Sequence, residues 1–149
     1  VSACPNAAMI AAALFSKPLV DGALVFDPEP AHVVGTGGAI GAVCRHWVGR
    51  RVSRRVSSSR FPLATFVVNV VGSFALGLLV FAGASESVLR LAGTGICGSF
   101  TTFSSFSVET IRLYERGDRA LAVGNAAANL LCSLAAIGLA WGLVAATAL

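Results

Sequence analysis

The sequence predicts an all-α membrane protein with four transmembrane helices, the third of them broken mid-membrane. Three observations carry this prediction. Of 149 residues, 56% are hydrophobic and 12% charged. The mean hydropathy of +0.80 exceeds what a soluble domain of this size presents to water. The apolar runs are separated by clusters of arginine. Four spans of roughly 20 residues use more than half of the chain and leave no room for a separate soluble catalytic module, so an enzyme is not expected. The net charge of +4 comes from 11 basic and 7 acidic residues. No spacing signature of nucleic-acid recognition accompanies it, and nucleic acid is not an expected partner.

The first span is placed at Val33 to Val48, a short glycine-rich segment (Gly35, Gly37, Gly38, Gly41) with Arg45 near its end, where an arginine can snorkel. The second, Leu63 to Ala84, is uncharged and follows Pro62, which can open a helix without losing a bond. The third, Val88 to Ile111, is unlike a lipid-facing helix. Its middle, Gly93 to Ser107, holds three Gly, four Ser, three Thr and three Phe. Backbone that leaves helical geometry at membrane depth is tolerated only against protein or a wet cavity, so this segment reads as a broken helix within a bundle. The fourth, Ala120 to Leu149, is uncharged and longer than a crossing requires, so it tilts or protrudes.

Residues 1–31 read as an extension outside the fold, disordered or linker-like, with a short apolar stretch (Ala7 to Phe15) followed by Lys17, Asp21, Asp27 and three prolines. No basic residue precedes that stretch and no clear small-residue cleavage site follows it, which weakens a signal-peptide reading. The first residue is Val, consistent with a processed start or a start-site artefact. Residues 32–149 form the four-span domain.

The loops between spans one and two and between spans three and four carry eight basic residues (Arg50, Arg51, Arg54, Arg55, Arg60, Arg112, Arg116, Arg119), against Lys17 and Arg90 on the other side. The positive-inside rule places both loops in the cytoplasm of a multi-pass protein of the cell membrane. Cys4, Cys44, Cys97 and Cys132 are isolated, and neither His32 nor His46 has a second ligand nearby, so no His/Cys metal site is expected.

Within the second span Thr65, Asn69 and Ser73 recur at i, i+4 and i+8, and within the fourth Asn125, Asn129 and Ser133 repeat the spacing, so each set lines one helix face. Taken singly, each stripe reads as interhelical bonding. Two stripes beside a polar broken helix favour a path for a small solute. Neither span holds Asp, Glu, Lys or His, so a proton-coupled carrier would lack its relay, while hydroxyls, amides and rings remain. Phe100, Phe103 and Phe106 follow i, i+3, i+6 spacing and share one face if that segment is helical. Ring edges beside hydroxyl and amide donors suit an anion.

Three blocks, GGAIGAVCR (Gly37 to Arg45), PLATFVVNVVGSF (Pro62 to Phe74) and GICGSFTTFSSFS (Gly95 to Ser107), resemble the Fluc, or CrcB, family of fluoride channels. With the four-span layout the resemblance covers the chain from about His32 onward. It implies an antiparallel dimer that passes fluoride passively out of the cytoplasm and confers fluoride resistance. Carried over by position, Phe103 and Phe106 resemble the pore-lining rings and Asn69 the pore amide. Thr65, Ser133 and Asn129 fall on the polar track, and Arg45 matches the arginine at the pore entrance. Gly98 and Thr101 fall where the family binds a structural sodium ion through backbone carbonyls at the dimer interface.

Ala64 and Ser99 stand where the family often has glycine, and Asn129 where many members have tyrosine. The charge bias of the loops opposes dual insertion, so the partner in the dimer is either a second copy or an oppositely oriented paralogue, with a fixed orientation favouring the paralogue. Two other readings stay open. A small four-helix multidrug-type transporter would require a membrane glutamate in the first span, where none occurs. A non-conducting partner subunit of a heterodimeric channel would tolerate loss of Phe103 and Asn69.

Overall fold

The computed structural model describes residues 19–20, 23–24, 28–55 and 60–147. The apolar stretch from Ala7 to Phe15 lies outside the described residues. A short antiparallel pair, β1 (Leu19–Val20) with β2 (Ala23–Leu24), precedes the helices.

Helix α1 (Pro28–Arg55) overruns the apolar segment at both ends. Pro28 and Pro30 sit in its first turn, where a missing N–H removes no intrahelical bond, and Arg54 and Arg55 in its last turn complement the helix dipole. The helix continues beyond Val48 because a backbone ladder does not stop where apolarity does. There the Arg51 guanidinium lies 4.3 Å over the Trp47 ring, one turn earlier. Helix α2 (Leu63–Phe81) ends before Ala84. Gly83 takes φ +67°, and the amides of Ala82, Gly83 and Ala84 turn back onto Leu78, Val80 and Leu79.

The third apolar segment comprises two helices. The first, α3, spans 86–100: one turn at Glu86–Val88, a widened i→i+5 stretch at Leu89–Cys97, and a last turn at Gly98–Phe100. Thr101 (φ −78°, ψ 161°) and Thr102 (φ −151°, ψ 114°) are then extended. Helix α4 (Phe103–Glu115) starts under a cap in which Thr102 Oγ1 accepts from Ser105 N at 3.2 Å. After a turn through Gly117 (φ +87°), α5 (Arg119–Thr147) closes the fold. Phe100 therefore belongs to a different helix from Phe103 and Phe106.

Two seams hold the bundle, α1 against α3 and α2 against α5, with α4 on α5. In the first, Gly37 and Gly41 lie so close to α3 that a Cβ would overlap the carbonyl oxygens of Leu91 and Ile96, respectively. A Cβ on Gly95 would stand 2.9 Å from the Cα of Gly37. Such backbone approach suits helices in lipid, where packing and not the hydrophobic effect drives association. In the second seam Val68, Ala136 and Ala140 are buried, and a Cβ on Gly77 would stand 3.0 Å from that of Ala140.

Helices α2 and α5 are each long and apolar enough to cross a membrane. Helix α1 is diluted by glycine and arginine, and each half of the third segment is shorter than a bilayer core. Large apolar side chains such as Val43, Val123, Leu131 and Leu139 are exposed, which fits a lipid solvent better than water. Arg60 stands 3.8 Å from Asp118, so the two arginine-bearing loops lie at one end of the bundle.

Candidate functional site

The extended step at Thr101–Thr102 creates the site. Ending α3 at Phe100 exposes backbone groups that the helix would have paired, and a side chain from α2 takes them. Thr102 N donates to Asn69 Oδ1 at 2.8 Å, and Asn69 Nδ2 donates back to the Thr102 carbonyl at 3.2 Å. One amide thus mimics a β-ladder partner for a single residue. Gly72, one turn after Asn69, makes room for this contact. A Cβ there would overlap Thr101 Cγ2.

From Asn69 the polar contacts pass to α5. Asn69 Nδ2 donates to Asn129 Oδ1 at 3.1 Å, Asn129 Nδ2 to Asn125 Oδ1 at 2.9 Å, and Asn125 Nδ2 to Thr110 Oγ1 at 2.8 Å. Thr110 Oγ1 donates to the Phe106 carbonyl at 2.7 Å. Asn125 is 0% exposed and Asn129 7%. Buried amides at this depth must be paired, and each of these is.

Beside this chain of bonds lies a groove of about 750 Å³. It gathers Asn69, Phe103, Phe106, Asn129 and Ser133, together with Gly98 and Thr101 at the break. Among the described residues no Asp, Glu, Lys, Arg or His lines it. The Phe103 and Phe106 rings have centroids 5.6 Å apart and planes inclined at 46°. Phe103 is 79% exposed, an unusual state for a phenylalanine at the mouth of a groove.

Two expected site residues lie elsewhere. Thr65 is buried one turn before Asn69 and does not line the groove. Arg45 opens onto a second hollow of about 710 Å³ with His46, Arg50, Arg54 and Ser105, and its Nη1 donates to the Thr101 carbonyl at 3.4 Å. It therefore touches the break at Thr101, one residue before the backbone groups that Asn69 holds.

Three polar residues do more than their sequence positions suggest. Asn125 was legible as the first member of the α5 stripe. Thr110 and Thr102 carried weaker signals, namely a threonine one turn after Phe106 and a hydroxyl three residues before Ser105. Glu109 lines a smaller cavity of about 270 Å³ with Ser104, Ser105 and Arg112, and its Oε2 is buried with no hydrogen-bond partner among the described residues.

A resident cation would have to use neutral oxygen, from backbone carbonyls, hydroxyls or amides. Among the described residues no group of three or more His, Cys, Asp or Glu could hold a metal. The amide of Thr102, which would close the next helical turn on the Gly98 carbonyl, is engaged by Asn69. That leaves the Gly98 carbonyl without the partner a continued helix would supply, while the Thr101 carbonyl accepts from Arg45 Nη1 at 3.4 Å, and carbonyl oxygen is the hard-donor chemistry a sodium ion takes.

Residues 32–141 match the family described as CrcB-like protein, Camphor Resistance (CrcB). The fluoride-specific ion channel FluC 2 of Haloarcula marismortui is 59% identical over 116 residues, covering 78% of this chain and 94% of that protein. FluC 1 of Halobacterium salinarum is 48% identical over 116 residues, with the same coverage of each chain. FluC of Gloeobacter violaceus is 44% identical over 108 residues, covering 70% of this chain and 86% of its own. With two helices long and apolar enough to cross a membrane and a largely apolar groove onto which amides, hydroxyls and two rings converge, the chain is a membrane protein of the CrcB family.

Proposed function

We propose that this chain forms a fluoride-selective channel that lets fluoride leave the cytoplasm passively and so lowers its toxicity to the cell. The observation that carries the reading is the uncharged groove in which Asn69, Phe103, Phe106, Asn129 and Ser133 converge. Fluoride is small and strongly hydrated, so a path must replace its water with closely placed donors. Hydroxyl protons, and amide protons that exchange their present carbonyl partners for the ion, supply them, and the positive edges of the two rings add to them without titrating. The absence of carboxylates from the lining speaks against a proton-coupled carrier of the multidrug type. A negative-inside potential of 100 mV favours exit of one negative charge by about 2.3 kcal/mol, and no further energy source is required.

In this reading the break at Thr101–Thr102 lies at mid-membrane depth, and the path is completed by a second, antiparallel subunit that covers the exposed Phe103. Arg45 draws the anion toward the break from the arginine-rich end, raising its local concentration. Gly98 and Thr101 hold a structural sodium ion through their carbonyls, which ties the two subunits together. Exchanging sodium for N-methylglucamine is expected to lower the melting temperature of the dimer, and an unchanged melting temperature would argue against that site. The arginine bias places both loops in the cytoplasm and favours an oppositely oriented paralogue as partner over a second copy. C-terminal tags found equally on both sides of the membrane in cells lacking a paralogue would reverse that preference.

The deciding experiment is fluoride release from liposomes holding the purified chain, read with a fluoride electrode after valinomycin collapses the opposing potential. Rapid release, absent for chloride and abolished by Phe106→Ile, is expected either with the chain alone or with a co-purified paralogue. No release in both preparations would overturn the channel reading.

A further inference from the structure

We propose that the basic hollow along the C-terminal half of α1 binds the phosphate of an anionic phospholipid, held by Arg50 and Arg54. The hollow, of about 710 Å³, shares no lining residue with the groove at the break. One wall is α1 itself, on which His46, Arg50 and Arg54 recur at i, i+4 and i+8 with Arg45, Gly49 and Ser53 on the adjoining row. Ala64 of α2 and Ser105 of α4 form the other side. A Cβ on Gly49 would meet nothing within 4 Å, so the space against the helix is open.

The charge in this hollow is uncompensated. Three arginines line it, and among the described residues no carboxylate lies within ion-pair distance of any of them. Arg45 is engaged with the Thr101 carbonyl, whereas Arg50 and Arg54 are exposed. Glu109 opens with Arg112 onto the smaller cavity that shares Ser105, and does not line this one. Like charges four residues apart on a helix repel, so Arg50 and Arg54 gain from an anion held between them. A hollow of this size far exceeds a single halide. Guanidinium forks match an oxyanion, which accepts several N–H groups at once, and the hydroxyls of Ser53 and Ser105 add donors.

Depth selects lipid as the source of that oxyanion. Trp47, within the same stretch of α1, is 57% exposed and carries the Arg51 guanidinium over its ring, an arrangement suited to the membrane–water interface. Ala64 lies in the first turn of α2, whose uncharged run begins at Leu63. The hollow therefore opens at the level of the bilayer phosphates. Ile40 and Val43, exposed on α1 toward the membrane interior, offer apolar surface to the chains of the same lipid. Basic pockets between membrane helices at headgroup depth take anionic lipids.

The test is thermal unfolding of the purified chain in dodecylmaltoside with added dioleoylphosphatidylglycerol or dioleoylphosphatidylcholine. The anionic lipid is expected to raise the melting temperature of the parent about 5 °C above the zwitterionic one, as a ligand at roughly tenfold excess over its Kd does. Two double variants remove equal charge from one helix. Arg50→Gln with Arg54→Gln is expected to abolish the difference, whereas Arg51→Gln with Arg55→Gln, at positions that do not line the hollow, is expected to keep it. Equal loss in both would overturn the site in favour of diffuse attraction. Gly49→Leu fills the hollow without removing charge and is expected to abolish the difference as well, and a difference retained there would place the lipid elsewhere. No difference in the parent would overturn the proposal outright. Inorganic phosphate that reproduces the full shift against chloride at equal ionic strength would overturn the lipid as occupant. The site requires the chain to lie in a membrane but not to pass fluoride, so failure of fluoride release leaves these outcomes decisive.

Discussion

The two seams of the bundle are built on different principles. Between α1 and α3 contact depends on missing side chains: Gly37, Gly41 and Gly95 let two backbones approach until no Cβ fits. Between α2, α4 and α5, beside the small-residue contact of Gly77 with Ala140, polar side chains also join the helices, in a series of amides and a hydroxyl from the Thr102 backbone to Thr110. The first seam is dominated by backbone contact, with Arg45 of α1 adding one bond to the Thr101 carbonyl. The second holds the linked amides of Asn69, Asn129 and Asn125. The difference is a division of means: one half of the molecule packs backbone on backbone, and the other links its helices through amides and hydroxyls.

That division can be broken most severely at the backbone seam. Gly41→Ala is expected to destabilise the protein by about 3 kcal/mol, because its Cβ meets backbone and cannot be accommodated by a rotamer. Gly35→Ala, whose added Cβ meets nothing within 4 Å, is expected to be neutral or to gain about 0.5 kcal/mol from helix propensity. Propensity alone would stabilise both, so opposite signs in thermal unfolding would establish the seam, and equal signs would remove the contrast. On the polar side, Asn69→Ala leaves the Thr102 N–H without its partner and is expected to cost about 2 kcal/mol and most of the fluoride release. Retained flux would place the path elsewhere.

Smaller effects sharpen the comparison. Thr102→Val removes the hydroxyl that caps α4 but leaves the backbone clamp to Asn69 intact, so about 1 kcal/mol of stability should be lost with flux reduced only modestly. A loss of flux as large as that in Asn69→Ala would make the cap part of the path. Arg60→Ala removes a contact to Asp118 at 3.8 Å between partly exposed groups and is expected to change stability by less than about 0.5 kcal/mol. A larger fall in the melting temperature would show that the two loops are coupled.

The sequence announces the continuous helices well, because an uncharged run of helical length has few alternatives. Leu63 and the neighbourhood of Arg119 open α2 and α5 close to where the apolar runs begin. Ends were less legible. Val48 closes an apolar segment and not a helix, so α1 continues to Arg55, whereas α2 stops at Phe81 because Gly83 adopts a left-handed turn that hydropathy does not register. Within the site, the i, i+4, i+8 stripes brought out Asn69, Asn129 and Ser133, which meet at one groove. Thr65 shares the α2 stripe but lies buried away from the groove, since spacing assigns a face and not a depth. The role of Thr102 was hidden because its contribution to Asn69 is made by backbone atoms, which carry no residue identity.

The clamp on Asn69 has a consequence for discrimination between solutes. Both of its amide protons and its oxygen are already engaged, by Thr102 and Asn129. Any acceptor that arrives must therefore compete with an amide carbonyl already in place, and its net gain is the difference between two bonds. If the proposed path runs past Asn69, a weak acceptor gains less from that exchange than a strong one, so basicity enters the selection beside size.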